Sequence, residues 1–122
     1  MRSTATVAAV ATLLVLGVGA GWASTAPASP ARAQVSAGEF RLTLSHAAIH
    51  RGPAIIELVN YGEDDHDLAL RRVGGTRTYR IALVHPGRTG ELEARLRPGR
   101  YAVWCTLADH RARGMRATLL VR

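Results

Sequence analysis

From Phe40 onward the chain alternates apolar and polar residues in short runs, each cut off by a turn. Phe40, Leu42 and Leu44 alternate with Arg41, Thr43 and Ser45, the period-two pattern of a strand with one buried face. A shorter run at 47–50 ends at Arg51-Gly52-Pro53, a turn signal. Residues 54–60 predict a second strand, with Ile56 and Leu58 on one face and Glu57 on the other. After the polar loop Tyr61-Gly62-Glu63-Asp64-Asp65, His66, Leu68 and Leu70 share a face, with Asp67, Ala69 and Arg71 on the opposite one. Gly74-Gly75 breaks the chain again. Tyr79, Ile81 and Leu83 then alternate with Arg80 and Ala82, and Pro86-Gly87 ends that run. Leu92, Ala94 and Leu96 alternate with Glu91, Glu93, Arg95 and Arg97. Past the Pro98-Gly99 corner, Tyr101, Val103 and Cys105 face one way. The last run, 115–122, sets Met115, Ala117, Leu119 and Val121 against Arg116, Thr118 and Arg122.

Seven or eight short strands with no helical pattern between them predict an all-β antiparallel sandwich or Greek-key barrel. Tyr101 stands just after the Pro-Gly corner, where a tyrosine hydroxyl can reach back to the upstream backbone.

The first third has a different character. Met1-Arg2 precedes Val7–Ala23, a stretch without charge, and an Ala/Pro/Ser segment runs on to Ala37. This is the layout of an export signal. Ala31-Arg32-Ala33 has the small-x-small form of a cleavage site. Residues 1–33 are therefore assigned to the signal, 34–38 to a short linker and 39–122 to the domain. A cut near Ala23 or Ala26 is the alternative, and an uncleaved membrane anchor the rival reading, although the apolar run is near the lower limit of a span. The expected location is periplasmic, cell-envelope or extracellular.

Removal of residues 1–33 leaves 14 Arg against 9 Asp and Glu, a net charge of +5, and the chain has no lysine. A basic surface favours acidic protein partners or anionic surfaces. Nucleic acid is a poor fit, because the arginines are scattered and few aromatics interleave with them. A single cysteine excludes an internal disulfide, and a lone thiol in an exported domain points to a working ligand or nucleophile.

Cys105, His110 and Met115 lie within eleven residues. By strand phase Cys105 and Met115 face the interior. His66 faces the interior of its own strand, and His110 lies in the intervening loop. Two imidazoles, a thiolate and a weak axial thioether are the donor set of a blue-copper electron-transfer site, holding one mononuclear copper ion. Zinc would take a stronger fourth donor than methionine. His46, His50 and His85 read as surface or loop residues, and Met115 taken alone would read as core. Trp104 points away from the core.

The segment from Gly99 to Cys105, followed by His110 and Gly114-Met115, resembles the cupredoxins, the small blue copper proteins. Asn60-Tyr61-Gly62 with His66-Asp67-Leu68 resembles that family's upstream ligand loop. The likeness covers nearly all of residues 39–122, and the Cys-x4-His-x4-Met spacing is similar to that of rusticyanin. It implies ring-nitrogen ligation by His66 and His110, a short Cu–S bond from Cys105 and a weak axial bond from Met115. It also implies that His110 is the more exposed imidazole and the electron port. Many members carry Asn at the position of Asp67; here Asp67 would join the two ligand loops by accepting from Thr106, and a carboxylate so placed should favour Cu(II). Asn60 belongs with Asp67 and Thr106 in the expected supporting set.

The expected role is a monomeric one-electron carrier working with redox partner proteins, acidic at the docking surface. Arg111, Arg113 and Arg116 form either a solvated rim or the surface that steers such a partner to His110. A copper chaperone or store is the alternative function, although such proteins cluster more Met and His than this chain offers. A Cys105–His110–Asp109 hydrolase lacks an oxyanion motif. A binuclear oxidase centre needs a second cysteine, and multicopper oxidases need more histidines.

Overall fold

The computed structural model describes Gly19 and residues 21–122, so most of the apolar run 7–23 lies outside the described residues. Nine strands follow in order: β1 Ala31–Gly38, β2 Arg41–Leu44, β3 Ala48–Ile49, β4 Gly52–Asn60, β5 His66–Arg72, β6 Thr78–Val84, β7 Thr89–Leu96, β8 Gly99–Trp104 and β9 Arg116–Val121. They form two facing sheets, β2-β1-β4-β7 and β3-β9-β8-β5-β6. No helix occurs among the described residues. The core between the sheets is filled by the inward residues of both, with Ile56, Leu58, Leu68, Leu70, Leu96 and Leu119 almost wholly buried. Burying a side chain of this size contributes about 1.5–3 kcal/mol.

Three expectations are corrected. Residues 34–38 are not a linker, and the domain does not begin at 39. Ala31–Gly38 is a full strand, parallel to β4 and antiparallel to β2. Its Ala33, Val35 and Ala37 side chains are buried. Alanine and serine hid the alternation, but small residues suit a strand pressed between two neighbours. A cut after Ala33 would remove the pairs Ala31–Ala54, Arg32–Ile55 and Ala33–Ile56. Any leader that is removed is therefore expected to end before Ala31, which N-terminal sequencing of the purified protein would check.

The sheets are also mixed rather than antiparallel. Besides β1 and β4, β3 pairs with β9 in parallel. Parallel pairing joins segments far apart in sequence, so no local turn signal announces it.

Finally, β6 does not keep strict alternation. His66 pairs with Val84 but Leu68 with Ile81, so β6 carries an extra residue, a bulge. The bulge turns Val84 inward and leaves Leu83 48% exposed. Gly90 on β7 accommodates the result, since a Cβ there would meet the Ile81 and Val84 methyls at 2.6 and 2.8 Å.

The tyrosine corner forms as expected. The Tyr101 hydroxyl donates to the Arg97 carbonyl and accepts from the Arg97 amide, each at 3.1 Å. This fixes the entry to β8, the strand that carries the chain to Cys105.

Candidate metal centre

At one end of the sandwich, hereafter the metal pole, β4 hands over to β5, β6 to β7 and β8 to β9. Three devices hold these loops. Buried Asn60 donates through Nδ2 to the Asp64 and Val84 carbonyls at 2.8 and 2.9 Å, and its Oδ1 accepts from the Gly62 amide at 2.9 Å. Asp67 bridges from β5 to the start of the next ligand loop, accepting from the Thr106 amide at 2.6 Å and from the Thr106 hydroxyl. The loop 105–115 is closed by its own backbone. The Cys105 amide donates to the Met115 carbonyl at 3.1 Å, and the Met115 amide to the His110 carbonyl at 3.0 Å. Gly114, at φ +125°, lets the loop pass beneath Phe40, whose carbonyl oxygen a Cβ would meet at 2.9 Å.

These restraints bring together residues distant in sequence. One ligand atom each from His66, Cys105 and His110 lies within 4.8 Å of the others. Cys105 Sγ is 3.6 Å from His110 Nδ1, and the two imidazole rings stand edge to face with centroids 5.2 Å apart. His66, Cys105 and Met115 are wholly buried, and His110 is 9% exposed. Met115 is tied to the same loop by its backbone bonds to Cys105 and His110.

Two observations show that the donors suit a metal ion. His66 Nε2 lies 3.1 Å from Glu39 Oε1. A carboxylate only accepts, so Nε2 carries a ring proton, and in the neutral imidazole Nδ1 then keeps its lone pair. That Nδ1 is buried and has no hydrogen-bond partner. An unpaired buried acceptor is costly in an ordinary core, and ligation would remove the cost. Cys105 supplies the second observation. Burial pushes its thiol above the usual range, and the Asp67 and Leu107 backbone amides only partly oppose this. A thiol held protonated this way is a poor free nucleophile, and a metal ion would deprotonate it.

No sequence-family model and no curated relative matches the chain. Its fold does match solved structures. Auracyanin B superposes with a TM-score of 0.61 at 19% identity, over 80% of this chain and 93% of that one. Amicyanin from Paracoccus versutus gives 0.54 at 16% identity, over 80% and 86%. A Cu-containing nitrite reductase from Thermus scotoductus gives 0.57 at 13% identity, over 75% of this chain and 30% of that one. The fold is that of the cupredoxins.

Within this cupredoxin fold, His66 and Cys105 face inward from their strands, His110 meets them from the loop 105–115, and Asp67 accepts from Thr106 across the two loops. His110 is the less buried imidazole, yet it is not open. The Phe40 ring packs edge-on against it at 5.0 Å, and the Arg113 guanidinium lies over Phe40 at 3.6 Å. Trp104 lies outside the core with Arg111 over its ring at 4.6 Å and Arg71 at 5.8 Å. His85, set aside as a ligand, pairs instead with Asp65 at 2.7 Å.

Glu39 is the residue that sequence reasoning missed. Besides His66, its Oε1 accepts from the Glu63 and Asp64 amides at 2.9 and 2.8 Å. Hydrogen bonds from Asp64, then Glu63 and His66, outweigh partial burial and pull its carboxyl from 4.5 down to about 2. An isolated glutamate in a β1–β2 turn carries no motif. Its role appears only when parallel pairing of β1 with β4, ending at Ala37–Asn60, sets that turn beside the loop 61–65.

Proposed function

We propose that this chain is an exported blue copper protein that carries single electrons, with His66, Cys105, His110 and Met115 as the ligands of one copper ion. The observation that carries this reading is the unpaired, buried Nδ1 of His66, aligned by Glu39, together with the Cys105–His110 pair 3.6 Å apart. Two imidazoles, a thiolate and a thioether suit copper better than zinc. When bound, copper supplies a reversible one-electron couple. The protein's part is to hold the donors rigid and dry. Asn60 anchors the loop before His66, Asp67 locks that loop to Thr106, and the backbone of 105–115 holds Cys105, His110 and Met115 on one short loop. Cys105 is inaccessible to solvent, which argues against a nucleophilic hydrolase.

His110 and the Phe40 edge over it are the route by which an electron would pass to a partner. Arg113 and Arg111, stacked on Phe40 and Trp104, flank that route and suit a partner protein with carboxylates at its docking face. Glu63, Asp64 and Asp65 on the other side would repel such a face and so orient it.

Adding Cu(II) to the purified protein is expected to bind one equivalent and give an intense visible thiolate-to-copper charge-transfer band. The colour should be lost reversibly on reduction. A pale complex, or one that cannot be reduced and reoxidised, would favour copper storage instead.

A further inference from the structure

The two poles of this protein differ in charge: carboxylates and arginines mix at the metal pole, while the opposite pole carries arginines alone. Six of its nine acidic residues, Glu39, Glu63, Asp64, Asp65, Asp67 and Asp109, lie in or beside the loops of the metal pole. At the opposite pole the turns and strand ends carry Arg51, Arg72, Arg77, Arg95, Arg97 and Arg100, with no carboxylate among those turns. All six are exposed. None of them forms an ion pair; the pairs among the described residues are His66–Glu39, His85–Asp65 and Arg113–Asp109.

Four of these arginines, Arg72, Arg77, Arg95 and Arg97, line a concavity of about 440 Å³ with Tyr79 and Tyr101. Two are set in place by packing. Arg72 lies across Gly99, where a Cβ would come within 2.6 Å of its Nε. Arg77 stacks on the Tyr79 ring at 4.8 Å. Guanidinium groups without a carboxylate partner favour phosphate, which they bind in a planar fork.

The chain itself indicates which phosphate-bearing partner lies on this side. β1 enters the sheet at this pole, with Ala31 opposite Ala54. Pro30 lies beside Pro53 and Arg95. Only residues 24–30 separate β1 from the uncharged run 7–23, a reach of at most about 25 Å. Trp22 in that run is 95% exposed, and tryptophan favours the level of lipid headgroups. A bilayer that receives the run, before or without cleavage, meets the arginine pole first.

We propose that the pole opposite the metal centre is a docking surface for anionic phospholipid headgroups, and that it turns the His110 face away from the membrane. The arginines act as a screened, additive cationic patch. They therefore serve whether the upstream segment is kept or removed.

The test compares the exported protein, as purified, on phosphatidylcholine vesicles and on vesicles containing phosphatidylglycerol. The ratio of the two partition coefficients cancels any apolar anchoring common to both. A clear preference for the anionic vesicles, weakened by salt, is expected. Arg77→Gln with Arg97→Gln should cut that ratio about fivefold per arginine. Arg41→Gln with Arg88→Gln removes the same charge from the metal pole and should leave the ratio unchanged. Equal losses in the two double variants would show that net charge alone matters, and no preference for anionic lipid would remove the basis of the idea; either overturns it. Displacement by inorganic phosphate, but not by chloride at matched ionic strength, would also overturn it in favour of a small-anion pocket.

Discussion

Replacing Cys105 by serine is expected to abolish the visible charge-transfer band completely while the protein still folds. The thiolate is the one soft, anionic donor among His66, Cys105, His110 and Met115, and the intense colour of a His₂Cys copper site arises from its sulfur. A serine hydroxyl stays protonated near neutral pH and offers copper only a weak oxygen. Cys105 is wholly buried, 3.6 Å from His110 Nδ1, so the shorter serine hydroxyl is shut off from water. The metal-free fold should lose no more than about 1–3 kcal/mol, the cost of a buried hydroxyl left unpaired. Absorption after copper addition and denaturant unfolding of the metal-free protein separate the two effects. A Cys105→Ser variant that keeps the band would sink the proposed ligand set. One that fails to fold would leave the copper-loading spectrum of the parent as the deciding measurement.

The second large effect is expected at Glu39. Glu39→Ala removes the acceptor that fixes the His66 tautomer, and also the partner of the Glu63 and Asp64 amides. Losing a carboxylate that orients a metal-binding histidine weakens metal binding by about 10–100-fold. Competition against a chelator of known affinity measures it. Glu39→Gln keeps an accepting oxygen and should lose less; equal affinity in the alanine variant and the parent would refute the role.

Acid titration of the metal-free protein gives an independent check. The Glu39 carboxyl is lowered from 4.5 to about 2 in the folded state, so the unfolded chain takes up the proton first. The stability it contributes is complete above about pH 4.5 and is lost as pH falls toward 2. Glu39→Gln should flatten that part of the curve.

Much of the protein was legible in the chain because strand phase is a local property. A residue's face follows from its neighbours two positions away, so His66 with Leu68 and Leu70, and Cys105 with Tyr101 and Val103, declared their orientation directly. The Tyr101 corner was legible for a similar reason, since it follows a recognisable turn, whereas the Asp67–Thr106 tie was legible only through the likeness to the cupredoxin ligand loops. Where side chains were small, the pattern failed. β1 is mostly Ala, Ser and Gly, a composition that reads as the end of a leader and a linker.

By itself, then, the sequence determined an all-β fold and four candidate donors, because alternation and turn chemistry act over a few residues, and its likeness to the cupredoxin loops added Asn60, Asp67 and Thr106 as the residues that brace them. Only the tertiary structure decided the rest. Parallel pairing of β1 with β4 carried Glu39 to His66, the β6 bulge exchanged Leu83 for Val84, and Phe40 came to rest on His110. It also gathered six carboxylates at the metal pole and left arginines alone on the turns of the opposite one. Each depends on which distant strands lie side by side, a choice made by burial of the two sheets' inner faces rather than by local preference.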